Sequence, residues 1–360
     1  FYKTFLFLVF LSFLIMSIIV ISCTNPLVYF FAPTQQDKTP IILYIRLEAI
    51  SKIAEFTNSY LKVIMIVQNQ KLTIISILII KTSITILLDV FIVSNLSISA
   101  KLGVNGIAYN NIVIQYCLLV VSLIIINCKS KTSFFQIKMV KYREIKQLQY
   151  FKIGWISGLE SLIRNTVFSY MIIRMTNVIQ QSALYWIANS FYWDWILTPV
   201  IQLFELVKKD FEQVINFSLS PYLLIVTIIC ILWGISVSIW RLFLTHVYNI
   251  QSVSDNETIF KVMLLQFGFY ILFAFDGLFD GVFVGSGQTN LLLYQSFVVD
   301  LGYYGILFVL YKTKIYTPNI YKIALVFGGG IGLNFLITQI IYWTIYQKRK
   351  QKQNHYIELK

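Results

Sequence analysis

The sequence predicts an all-α, polytopic membrane protein, and three observations carry that expectation. Ten long apolar segments lie near 4–31, 41–67, 72–98, 104–128, 153–178, 183–207, 221–245, 259–285, 291–311 and 322–346. About 20 apolar residues are what a helix needs to cross a bilayer. Hydrophobic residues make up 58% of the chain and charged residues only 12%, with a mean hydropathy of +0.72, whereas about a quarter of a soluble domain is charged. The charge is also patterned. Between the fourth and fifth segments, 129–152 carries Lys129, Lys131, Lys138, Lys141, Arg143, Lys146 and Lys152 against the single acid Glu144.

That loop divides the segments four and six, an arrangement typical of chains that move a solute by rocking one half against the other. The expected domains are an N-lobe of four spans over 1–128, a basic linker over 129–152, a C-lobe of six spans over 153–347 and a basic tail over 348–360. Cytoplasmic loops collect Lys and Arg, so the linker and the tail, with Lys348, Arg349, Lys350, Lys352 and Lys360, are both expected inside. Six spans separate them, an even number, as this requires. On this topology sixteen basic residues lie inside against five outside, Lys38, Lys101, Lys312, Lys314 and Lys322. The net charge of +13 is thereby a membrane-orientation signal and not a nucleic-acid footprint. The interleaved Phe134, Phe135, Ile137, Met139 and Val140 would also suit a short helix on the membrane surface, although a connector between lobes is the preferred reading of this loop.

Pro33 and Pro40 bracket the first outer loop, Pro221 opens the seventh span, Pro318 precedes the tenth, and Pro199 is expected to kink the sixth. Gly328, Gly329, Gly330 and Gly332 in the last span suit close helix packing. No strand-and-helix context makes them a phosphate loop. Cys23, Cys117, Cys128 and Cys230 are scattered, and with only His246 and His355 a His-based metal site is not expected. No cofactor is expected, and no constellation for enzymatic chemistry stands out.

Ionisable residues at bilayer depth cost several kcal/mol unless solvated or paired, so each is a functional candidate. Glu48, Lys52 and Glu55 share one face of the second span, as an ion-pair ladder or as a cavity wall. Lys81 and Asp89 lie two turns apart in the third. Glu160 and Arg164 stand at i, i+4 in the fifth, spaced to pair with each other. The sixth span gathers Tyr185, Asn189, Tyr192, Trp193 and Asp194, either an interfacial belt or a wall for flat organic cations. Asp276 and Asp280 share one face of the eighth span with no cation near in sequence. Two such carboxylates repel if both ionise, so the pair should bind a cation or hold a proton. The alternative for Asp280 is simple hydration near the inner interface. Asp300 in the ninth span either pairs with another span or lines the same cavity.

Several stretches resemble the multidrug and toxic-compound extrusion (MATE) transporters of the bacterial type. They are Gly158-Leu-Glu-Ser-Leu-Ile-Arg-Asn165, Ile173-Arg-Met-Thr-Asn177, Tyr185-Trp-Ile-Ala-Asn189 and Glu205-Leu-Val-Lys-Lys-Asp210, with Leu102-Gly-Val-Asn-Gly-Ile-Ala108 and Gly285-Ser-Gly-Gln-Thr289. The resemblance implies two helical lobes joined by a cytoplasmic loop, the ten spans here matching the third to the twelfth of twelve. By it, the first two spans, and the first-span acid through which some members couple protons, lie outside this chain. It also implies a C-lobe cation site in which Asp276 matches the acid of the family's tenth span, with Asp280 one turn away. Glu160 sits a turn earlier than the seventh-span acid of sodium-coupled members, whose place Arg164 takes.

The resulting expectation is an integral protein of a bacterial plasma membrane, a monomer in the lipid bilayer. It would be an antiporter exporting small organic, often cationic, drug-like compounds in exchange for Na+ or H+ by alternating access. Asp276, Asp280 and Glu160 would carry the ion; Tyr185, Asn189, Tyr192, Trp193 and Asp194 would line the substrate route. A flippase of lipid-linked oligosaccharides is the alternative, favoured by Arg46, Lys52, Lys81 and Arg164. A membrane fragment without transport activity is a third.

Overall fold

The computed structural model describes residues 2–35, 37–68, 70–93, 97–129, 148–213 and 217–346. Among these residues the chain forms ten helical rods and no strand. Most of the basic linker, and the whole basic tail, lie outside the described residues. By internal contacts the chain divides into two compact units, Phe1–Leu148 and Gln149–Lys360.

The first unit holds α1 (Tyr2–Phe31), α2 (Thr39–Val67), α3 (Lys71–Leu88, prolonged by a π-helical turn over Asp89–Val93) and α4 (Gly103–Lys129). α2 is its centre, packed against both α1 and α4. Leu61, Ile64 and Met65 of α2 meet Ile77 of α3 and Ile114, Leu118 and Ile126 of α4. Lipid is as apolar as these side chains, so close packing and side-chain hydrogen bonds must hold the rods together. Ser17 Oγ accordingly donates to the Ala49 carbonyl at 2.7 Å, and Asn58 Nδ2 donates to the Gln115 carbonyl at 2.8 Å.

The second unit holds six rods. α5 runs through Leu148–Phe168, a π-helical Ser169–Ile173 and Arg174–Val178; α6 through Ser182–Ser190, a π-helical Phe191–Ile196 and Thr198–Gln213. α7 comprises Ser220–Ser236, Val237–Ile239 and Trp240–His246, and α8 is the unbroken Val253–Gly285. α9 comprises Thr289–Ser296, a π-helical Phe297–Tyr303 and Tyr304–Lys312, and α10 runs from Ile320–Ile341 into Tyr342–Tyr346. Seven rods, α1, α3, α4, α7, α8, α9 and α10, are long and apolar enough to span a bilayer. The remaining three, α2, α5 and α6, hold much of the ionisable sequence, α2 alone carrying Arg46, Glu48, Lys52, Glu55 and Lys62.

Near Pro199, where a kink is expected, the helix changes its hydrogen-bonding pitch. Proline lacks an N–H, and just before it the Leu197 amide donates to the Tyr192 carbonyl at 2.7 Å, five residues back. The helix then restarts at Thr198, with proline in its first turn, where no donor is needed.

α8 organises the second unit, touching α6, α7, α9 and α10. Its glycines set how closely α6 approaches: a Cβ on Gly285 would lie 2.7 Å from the Lys208 carbonyl oxygen, and one on Gly277 would collide with the Phe204 ring. The α10 glycines work likewise, Gly328 against Phe269 of α8 and Gly330 against Tyr304 of α9. These small residues therefore pack helices, as the sequence suggests.

Candidate functional site

The C-terminal half of α8 carries two acids one turn apart. Asp276 is only 2% exposed, and Asp280 is partly buried. Three rods complete the surroundings: α5 brings Glu160 and Arg164, α9 brings Gln295, Ser296 and Asp300, and α10 brings Asn334. Together with Phe273, Val299 and Tyr304 they line a cavity of about 150 Å³. Pockets for drug-sized molecules run to about 300–1,000 Å³, so this one suits a hydrated ion.

The cavity is acidic, with four carboxylates (Glu160, Asp276, Asp280 and Asp300) against one guanidinium, Arg164. Neutral donors hold some of the oxygens. Asn334 Nδ2 donates to Asp276 Oδ2 at 2.7 Å, and Ser296 Oγ donates to Glu160 Oε1 at 2.9 Å. Ser161 Oγ donates to Glu160 Oε2 at 3.2 Å. Behind this layer Gln295 Nε2 donates to Thr338 Oγ1 at 2.6 Å, and Thr338 itself donates to the Asn334 backbone carbonyl at 3.0 Å, which fixes the Gln295 amide.

Four oxygens of the cavity lining are buried with no hydrogen-bond donor among the described residues: Asp276 Oδ1, Asp280 Oδ1, Asp300 Oδ2 and Gln295 Oε1. A buried acceptor left unpaired costs about 1–3 kcal/mol, more when charged. Oxygen donors of this kind suit a hard cation. Among the described residues, no three His, Cys, Asp or Glu side chains converge tightly enough to clasp one metal ion. A cation here would be held by one or two carboxylates, an amide oxygen and water, for which the cavity has room.

The structure thus brings Asp276, Asp280, Glu160, Arg164 and Asp300 around one cavity, and Arg164 Nη1 pairs with Glu160 Oε1 at 3.3 Å. Asp300 lies in the π-helical part of α9, whose extra residue per turn shifts the helix faces.

The five residues read from α6 as a substrate wall stand apart from this cavity. Tyr185 and Tyr192 are fully buried and Asn189 nearly so. Tyr192 donates to the Met263 carbonyl at 2.6 Å and stacks on Tyr270 at 4.0 Å, while Tyr270 donates to Asn189 Oδ1 at 2.9 Å. Gln266 Nε2 reaches Tyr185 Oη at 3.5 Å. These three residues, spaced i, i+4, i+7, form one face packed against α8. Trp193 and Asp194 are exposed, although the Trp193 ring still meets Phe273 of α8 edge-on at 5.4 Å. None of the five lines the acidic cavity.

In the first unit the expected ladder on α2 is only partly made. Lys52 pairs with Glu55 at 2.6 Å, while Glu48 accepts from Asn111 Nδ2 at 2.6 Å and from Ser51 Oγ at 3.2 Å. Asp89 accepts from Asn110 Nδ2 at 2.8 Å rather than facing Lys81. The ladder fails because a neighbouring helix offers Glu48 a better-placed amide. Asn334, Gln295, Ser296 and Thr338 escaped the sequence reading, which followed charge; an isolated amide in an apolar run was the available signal.

No protein-family model matches the chain, and no curated protein matches it in sequence. Solved structures do. The inward-facing form of a multidrug resistance MATE family transporter of the MOP superfamily matches with a TM-score of 0.67 at 16% identity, over 95% of this chain and 80% of that one. A mutant MATE transporter of Vibrio cholerae gives 0.66 at 13% identity, over 98% and 79%. A MOP superfamily transporter of Pyrococcus furiosus, described as having a binding pocket of reverse polarity, gives 0.61 at 15% identity, over 92% and 76%. At these identities the likeness is one of architecture: this chain has the fold of the MATE transporters of the MOP superfamily.

Proposed function

We propose that the chain is a secondary transporter that exports small organic compounds, cationic ones among them, in exchange for Na+ or H+ by alternating access. The observation that carries this reading is the acidic cavity of the second unit, with four carboxylates and four undonated oxygens in an ion-sized space. Four ionised carboxylates beside one guanidinium are costly in a low-dielectric interior, so the site is most stable when it takes up cations. A site that gains free energy from a cation couples transport to that ion's gradient if access to it alternates between the two sides.

The acidic character also weighs against a phosphate-bearing substrate at this position, the feature the flippase alternative needs. The cavity's volume of about 150 Å³ favours an ion over the organic compound as its occupant. On the expected topology the linker and C-terminus are cytoplasmic and the membrane is a bacterial plasma membrane.

The test is efflux of a fluorescent organic cation from proteoliposomes holding the purified chain, under separately imposed Na+ and H+ gradients. Efflux accelerated by one of these gradients is the expected result. Equal rates with and without gradients, alongside translocation of a lipid-linked oligosaccharide, would transfer the assignment to the flippase reading.

A further inference from the structure

The cavity contains one permanent cation of its own. A guanidinium stays protonated at every pH a protein meets, and Arg164 places one among four carboxylates. Its hold is loose. The contact to Glu160 Oε1 is 3.3 Å, longer than the roughly 2.7–2.9 Å of a firm charge-assisted bond. That same oxygen is also engaged by Ser296 Oγ at 2.9 Å. The Arg164 side chain is 62% exposed, against 10% for its partner. Arg164 interacts electrostatically with Asp280 and Asp300 as well as with Glu160, and each of those two aspartates keeps an oxygen with no donor.

On these grounds we propose that Arg164 is a tethered cation that takes the place of one mobile ion, so that it sets how many monovalent cations the cavity accepts and how tightly. The inference rests on the cation-site reading above and adds a competitor to it. The lining carries a formal charge of −3 with Arg164 and −4 without it. A mobile cation entering the wild-type cavity must share its carboxylates with a guanidinium anchored one helical turn from Glu160. Removing that charge frees Glu160 and ends the repulsion felt by the incoming ion. Lysine would preserve the charge and lose only the fork geometry. Arg164 is thus a specificity-determining residue for ion binding, distinct from the aspartates that touch the ion.

The test is equilibrium binding of radiolabelled Na+ to the purified full chain in detergent micelles, with monodispersity checked for every variant. Arg164→Gln is expected to bind Na+ about tenfold tighter or more, with one further ion per chain, while Arg164→Lys stays close to wild type. Adding Asp276→Asn to Arg164→Gln should remove the gain, and Arg164→Met supplies a second neutral variant should the glutamine fail to fold. Unchanged or weaker binding in both neutral variants, with Asp276→Asn still weakening the wild type, would overturn the tethered-cation role and leave the cation site standing. Absence of Na+ binding in wild type and all variants would overturn this inference. Dye efflux responding to neither a Na+ nor a H+ gradient would separately overturn the transporter reading beneath it.

Discussion

Replacing Asn334 by alanine tests how the cavity holds its central acid. Asn334 Nδ2 donates to Asp276 Oδ2 at 2.7 Å, and Asp276 Oδ1 is left without a donor. The amide therefore fixes the carboxylate's rotation, so that one oxygen faces a partner and the other is available to an ion. A hydrogen bond to a charged group contributes about 1.5–3 kcal/mol, and 1.4 kcal/mol is a factor of ten, so losing it should weaken ion binding about 10- to 100-fold. Thr338 donates to the Asn334 backbone carbonyl at 3.0 Å and receives Gln295 at 2.6 Å, neither through the Asn334 side chain. The alanine variant leaves those contacts in place and should fold. The assay is the cation concentration giving half-maximal dye efflux in proteoliposomes, expected to rise by one to two decades for Asn334→Ala and far less for Asn334→Gln. A half-maximal concentration within twofold of wild type would refute the idea that this amide orients Asp276 for the ion.

Three further predictions bear on packing within the two units. Tyr192→Phe removes a buried 2.6 Å hydrogen bond to the Met263 carbonyl and should lower thermal stability by about 0.5–1.5 kcal/mol, with the dye KM unchanged; a large KM shift would restore Tyr192 to the substrate route. Gly328→Leu pushes a side chain into the Phe269 ring between α10 and α8. It should cost about 1–3 kcal/mol by overpacking, read as a lower melting temperature, whereas no change would mean the two rods are free to part. Asn111→Leu strips Glu48 of its 2.6 Å partner and should destabilise the first unit by about 1–3 kcal/mol, visible as earlier thermal unfolding; an unaltered curve would show that Ser51 suffices.

The ten rods could be read from the sequence because lipid imposes a length and a composition on every span, and each apolar run recurs as a rod. Asp276 and Asp280 were equally readable, since two acids at i, i+4 must share a face whatever surrounds them. What surrounds them was not. Gln295, Ser296 and Asn334 come from α9 and α10, and only tertiary packing decides which face of those helices meets α8. On α6 the aromatic density was averaged over opposite faces. Tyr185, Asn189 and Tyr192 point to α8 and are sealed, while Trp193 and Asp194 are exposed. Helical spacing separates the two groups once it is applied residue by residue. Charge alone misled on α2, where Glu48 takes its strongest contact from the neutral Asn111 rather than from Lys52.

The measurement closest to the central claim is gradient-driven dye efflux by Asp276→Asn, in proteoliposomes matched to wild type for protein content and fold. The account predicts that wild-type efflux responds to an imposed Na+ or H+ gradient and that the variant's does not, because the substitution removes the charge at the centre of the ion cavity. Asp276→Asn efflux that still follows the gradient as wild type does would contradict it, and the coupling ion would have to be sought outside this cavity.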